Sequence, residues 1–101
     1  MSVSTEELDP LIHVPARLRI MATLATLLEG DAVSFTRLQT MIDLTPGNLI
    51  THLRKLEDAG YIETDKSGGG TSSLTMVQLT LRGRQALRDY STALRGLLDG
   101  V

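Results

Sequence analysis

Leu44-Thr45-Pro46-Gly47-Asn48-Leu49-Ile50-Thr51-His52-Leu53-Arg54-Lys55-Leu56-Glu57-Asp58-Ala59-Gly60-Tyr61 carries nearly every local sign of a helix with a defined start and stop. Thr45 is an N-cap candidate, because its hydroxyl accepts from the otherwise unpaired amides of a first turn. Pro46 follows at the first helical position, where a missing N–H costs nothing and the fixed φ suits a helix. Gly60 stands where a left-handed residue would end it. Leu49, Leu53 and Leu56 recur at the spacing of one buried stripe, which leaves Gly47, Thr51, Arg54 and Lys55 opposite, flanked by Asn48 and Ile50.

The preceding residues read as a second, shorter helix over Phe35–Ile42, capped by Ser34, with Leu38, Met41 and Ile42 as its buried face. Asp43-Leu44 is a tight connection, so residues 35–59 form a helix-turn-helix. Further upstream, Gly30-Asp31-Ala32 is a turn and Val33–Phe35 a possible strand edge. Pro15–Glu29 is a helix stopped by Gly30, with so broad an apolar arc that packing on more than one side is expected. Residues 4–13 read as a short or interrupted helix with Leu8, Leu11 and Ile12 on one face.

After Gly60 the period changes. Tyr61–Lys66 alternates as a half-buried strand does, Ser67–Ser73 is a Gly-rich tip, and Leu74–Leu79 is a second strand. The hairpin over 61–79 leads to Thr80, which caps a last helix over Leu81–Leu98. Its apolar positions, including Leu87, Tyr90, Leu94, Leu97 and Leu98, cover more surface than a two-stranded hairpin hides. The fold class is therefore mainly α with a small β-hairpin: a winged helix-turn-helix with additional N- and C-terminal helices, one domain over residues 1–101.

Composition narrows the function. The chain has 101 residues, 42% hydrophobic and 22% charged, with no cysteine. That excludes disulfides, thiolate metal sites and thiol catalysis. No run reaches a membrane span, the polar start lacks a signal-peptide pattern, and a cytoplasmic protein is the expectation. His13 and His52 lack metal-ligand spacing and read as packing residues, and no phosphate-binding Gly motif precedes a helix. No enzyme activity, cofactor or metal is expected.

Four pieces resemble the small winged-helix transcriptional regulators of the MarR/ArsR-like superfamily: Leu11–Met21, Ser34–Leu38, Leu44–Tyr61 and Leu79–Leu87. The resemblance covers about residues 8–98. It implies a homodimer, joined through terminal helices at 4–13 and 81–98, that binds duplex DNA and usually represses transcription. It also implies recognition-helix contacts from Pro46, Gly47, Asn48, Ile50, Thr51 and Lys55, beside Thr45, and wing contacts from Lys66, Ser67 and on to Thr71. Relatives often carry a basic residue at the wing tip, where this chain has Gly68-Gly69-Gly70-Thr71.

The residues themselves fit that chemistry. A helix entering a major groove needs small or polar side chains at its start: Gly47 permits close approach, Asn48 suits an adenine, and Thr51 suits a base or a thymine methyl. Arg37, Arg54, Lys55 and Lys66 are the candidates for phosphate contact. They face Glu57, Asp58, Glu63 and Asp65, and the net charge is −2. That balance keeps open an alternative, a winged-helix protein-interaction module without specific DNA binding. The surplus apolar face of 81–98 fits internal packing against residues 4–13 and equally an isologous dimer seam, and both are expected; the seam comprises Leu8, Leu11, Ile12, Leu87, Tyr90, Leu94, Leu97 and Leu98.

Overall fold

A turn, not a helix, begins the computed structural model, which describes residues 8–67 and 74–101. Of the helix expected over 4–13, residues 4–7 lie outside the described residues. Over 8–13 the backbone folds around Asp9: its carbonyl accepts from the amides of Ile12 (3.1 Å) and His13 (2.8 Å). Its carboxylate Oδ1 accepts from the Leu11 amide at 2.9 Å. An Asp followed by Pro10, which has no N–H to donate, favours this local turn over a helical ladder.

Three helices follow: α1 (Pro15–Ala25), α2 (Phe35–Ile42) and α3 (Pro46–Asp58), with the short strand β1 (Ala32–Ser34) before α2. Helix α1 stops before the expected Glu29. Thr26 Oγ1 donates to the carbonyl of Thr23 at 2.7 Å, and the chain then turns, leaving Leu28 exposed. Helix α2 has the expected bounds, but only Leu38 and Ile42 are buried and Met41 faces solvent. Asp43 takes a left-handed conformation (φ 54°) between α2 and α3. That lets a two-residue link reverse the chain into the Thr45 cap.

Strands β2 (Ile62–Ser67) and β3 (Leu74–Leu79) form the expected hairpin. The tip, including Thr71, lies outside the described residues. The sheet has three antiparallel strands in the order β1-β3-β2, with Val33 opposite Val77 and Thr64 opposite Val77 on the other side. Pairing of β1 makes β3 the central strand. Helix α4 (Leu81–Leu98) closes the chain.

One aliphatic core joins these elements: Ile20, Met21 and Leu24 from α1, Leu38 and Ile42 from α2, Leu49, Leu53 and Leu56 from α3, and Ile62, Val77 and Leu79 from the sheet. Leu8, Ile12 and Tyr90 belong to it as well, at 3%, 0% and 4% exposure. This corrects their placement on a dimer seam: they are used up inside the protomer. The N-terminal turn is tied down at several points. Tyr90 Oη and His13 Nδ1 are hydrogen-bonded at 2.8 Å, and Arg17 Nε donates to the Leu11 carbonyl at 2.6 Å. The Tyr61 hydroxyl donates to Asp9 Oδ2. Burial first, and then that bond and the charge of Asp9, push the Tyr61 phenol up to about 12.

Candidate nucleic-acid interface

Helix α3 is held on one side and open on the other. Thr45 Oγ1 accepts from the Asn48 amide at 3.3 Å, the expected cap. At the far end Gly60 has φ 78°, where a side chain is strained, and the Tyr61 amide reaches back to the Leu56 carbonyl at 3.0 Å. Leu49, Leu53 and Leu56 are buried, whereas Thr45, Pro46, Gly47, Asn48, Ile50, Thr51, Arg54 and Lys55 are all exposed. A Cβ at Gly47 would meet nothing within 4 Å. Among the described residues, the helix therefore presents the outer face of its N-terminal half with no other element over it.

Contacts that the sequence pattern did not reveal tie α1 to α2 and α3, and α3 to the hairpin. Arg19 Nη2 donates to the Ile42 carbonyl at 2.8 Å, joining α1 to the last residue of α2. Arg17 Nη1 lies 3.4 Å from His52 Nδ1, and since only the guanidinium can donate there, the ring nitrogen accepts. Partial burial, then the cations Arg17 and Lys55, lower the His52 pKa below its ordinary value. Toward the C-terminus of α3, Glu57 Oε2 accepts from the Thr64 hydroxyl at 2.6 Å and from its amide at 3.3 Å. One acid of the region is thus engaged in fixing the hairpin to the helix.

Between α3 and the hairpin lies a hollow of about 290 Å³, lined by Phe35, Ile50, Leu53, Arg54, Glu57, Thr64, Lys66 and Thr75. The fold brings Arg54 of α3 and Lys66 of β2 into its lining. Lys55 faces solvent on α3 outside this lining, and Arg37 is exposed in the first turn of α2, its amide donating to Ser34 Oγ at 3.2 Å. Ser67 ends β2.

The hairpin is braced from behind by the start of α4. Thr80 Oγ1 donates to the Gly60 carbonyl (2.6 Å) and accepts from the Gly83 amide (2.9 Å), while the Thr80 amide donates to the Tyr61 carbonyl (3.0 Å). Gly83 is packed so closely that a Cβ there would stand 2.1 Å from that Tyr61 oxygen. A glycine two residues into a helix that follows a strand directly was the available signal of such an approach.

A second surface lies between α1 and α4, a groove of about 530 Å³ lined by Leu18, Ala22, Ala25, Leu87, Leu94 and neighbouring polar residues. Arg84 crosses one end, its guanidinium Nη2 donating to the Leu27 carbonyl at 3.0 Å. Leu11, Leu87 and Leu94 are half-buried, and Leu97 and Leu98 are 36% and 53% exposed. The molecule extends 55 × 25 × 21 Å. Among the described residues, no three His, Cys, Asp or Glu side chains gather where they could hold a metal ion, and no helix is long and apolar enough to cross a membrane.

The family described as winged helix DNA-binding domain matches residues 16–98. An uncharacterised protein of Methanocaldococcus jannaschii is 38% identical over 74 residues, which span 73% of this chain and 77% of that one. The solved structure of a transcriptional regulator homologue from Pyrococcus horikoshii aligns with a TM-score of 0.82 at 31% identity, over 95% of this chain and 93% of that one. The same fold, at 18% identity and a TM-score of 0.69, is found in a transcriptional regulator of M. tuberculosis in complex with DNA, over 91% of this chain and 63% of the other.

Proposed function

Starting from the fact that this chain belongs to the winged helix DNA-binding domain family, we propose that it is a sequence-specific transcriptional regulator, a repressor of the MarR-like kind. In this reading it acts as a homodimer with α3 in the major groove of duplex DNA. The observation that carries the reading is the outward N-terminal half of α3: capped, exposed, small at Gly47 and uncovered by the other described residues. A helix can approach base edges only where nothing of its own fold stands in front of it.

Within this reading Thr45, Pro46, Gly47, Asn48, Ile50 and Thr51 meet the groove. Arg54, Lys55, Lys66 and Arg37 neutralise phosphates, and Ser67 and Thr71 extend the contact along the hairpin. Asn48 is the natural partner of an adenine, whose N6 and N7 match an amide's acceptor and donor. Few cations are available, so binding rests on a handful of phosphates. Each one neutralised steepens the log–log salt dependence by about 0.9. A mobility-shift assay against genomic fragments, including the region upstream of the chain's own gene, tests the proposal. Specific retardation is expected, lost when Asn48 and Thr51 are both replaced by alanine while the circular dichroism spectrum is retained. Unchanged specificity in that double variant would refute the assignment of α3.

The second surface supports the dimer of this reading. Leu97 and Leu98 on α4 and the α1–α4 groove with Leu87 and Leu94 are apolar and exposed or half-covered, and Leu11 is half-buried. Two copies burying these faces in an isologous contact would set two α3 helices at the spacing a palindrome requires. Sedimentation at micromolar concentration is expected to show a dimer; a monomer alone would remove this part of the proposal.

A further inference from the structure

On the reading that α3 enters the major groove, we infer that its side chains recognise thymine methyl groups, through Ile50 above all, so that the bound half-site is rich in A·T pairs. The polar capacity of the outward face is smaller than its sequence implies. Thr51 Oγ1 donates to the Gly47 carbonyl at 3.0 Å, so its one hydroxyl proton is committed within the helix. Gly47 has no side chain, and Pro46 has neither a donor nor a polar side chain. Among Pro46 to Thr51 that leaves Asn48 as the one exposed side chain with free donors.

Ile50 is the opposite case. It is a large apolar side chain, 41% exposed, on the outer part of the helix, where it lines the hollow between α3 and the hairpin. Phe35 and Leu53 add apolar lining to that hollow, and Arg54 and Lys66 add two cations. A backbone phosphate drawn to the two cations brings an adjoining base edge against Ile50. The one apolar group that a base presents in the major groove is the thymine C5 methyl, and burying it needs no hydrogen-bonding partner. Asn48 adds an adenine by its amide. Both residues thus favour A·T pairs, one through the adenine and the other through the thymine.

Deoxyuridine differs from thymidine by that methyl alone, which makes the test direct. Short duplexes are recovered from a randomised library by repeated binding to the intact protein. Each is then resynthesised with single thymines replaced by deoxyuridine. Affinity is expected to fall about fourfold at one or two positions in each half-site, the effect of one buried methyl group. In the Ile50→Ala protein the thymine and deoxyuridine duplexes should bind equally at one of those positions, which separates a protein contact from an altered duplex. Equal affinity for both duplexes in the parent protein would overturn the inference and leave DNA binding standing. So would an undiminished difference in the Ile50→Ala protein. Recovery of no duplex at all would refute the DNA-binding reading itself, and the inference with it.

Discussion

Helices α3 and α4 start alike and end up in opposite surroundings. Each follows a threonine whose hydroxyl accepts from the amide three residues on, Asn48 in one case and Gly83 in the other. Each has a glycine in its first turn. At Gly83 a side chain would strike the Tyr61 carbonyl, whereas at Gly47 it would meet open space. The packing of the fold requires the first glycine and has no use for the second. Helix-start chemistry is therefore spent on architecture in α4 and left available to a partner in α3, where a glycine weakens the helix relative to alanine without any internal reason.

Substitutions can break this contrast. The largest effect is expected for Gly83→Ala: the added Cβ overpacks against backbone that cannot rotate away, and denaturant titration should show a loss of about 3 kcal/mol. Gly47→Ala should instead leave stability unchanged or raise it by about 0.5–1 kcal/mol, through helix propensity. Equal losses at both sites would end the comparison. On DNA the order should reverse. In a mobility-shift titration Gly47→Ala is expected to weaken specific binding by about 1–2 kcal/mol, the scale of one disturbed base contact.

The caps give a finer version. Thr80→Ala removes both the acceptor for Gly83 and the donor to Gly60, and should cost about 2 kcal/mol; Thr45→Ala loses only the Asn48 contact, at about 1 kcal/mol. The smallest effect is electrostatic. His52 has a lowered pKa in the fold through burial and the Arg17 and Lys55 charges. The unfolded chain therefore takes up its proton first, near the ordinary value of 6.5. The stability this neutral ring contributes is complete above that pH and declines as pH falls toward the lowered folded pKa. Chemical denaturation across this range should show a small slope that disappears in His52→Gln.

Much of this was legible from residue order. The bounds of α2, α3, β3 and α4, the three threonine and serine caps, and the Leu49/Leu53/Leu56 stripe follow from short-range chemistry. What escaped depends on partners distant in sequence. Leu8 and Ile12 fit both internal packing against the last helix and a dimer seam; they lie in the same core as α1, α3 and Tyr90. The expected helix over 4–13 gave way, in its described part, to the Asp9 turn, which Tyr61 holds from the far side of the chain. The dual role of Glu57, an acid beside a candidate DNA surface and a tether for Thr64, appears only once helix and hairpin are set side by side.

By itself the sequence determined where α2, α3 and α4 begin and end and that Leu49, Leu53 and Leu56 form the buried stripe of α3, because caps, glycines and apolar periodicity act within a few residues of one another. It also determined that the exposed start of α3 is small and sparsely charged. Only the tertiary structure decided which glycine is enclosed and which is open, which apolar side chains belong to the core, and that Arg54 and Lys66 flank the same hollow as Ile50. Those outcomes depend on contacts between segments tens of residues apart.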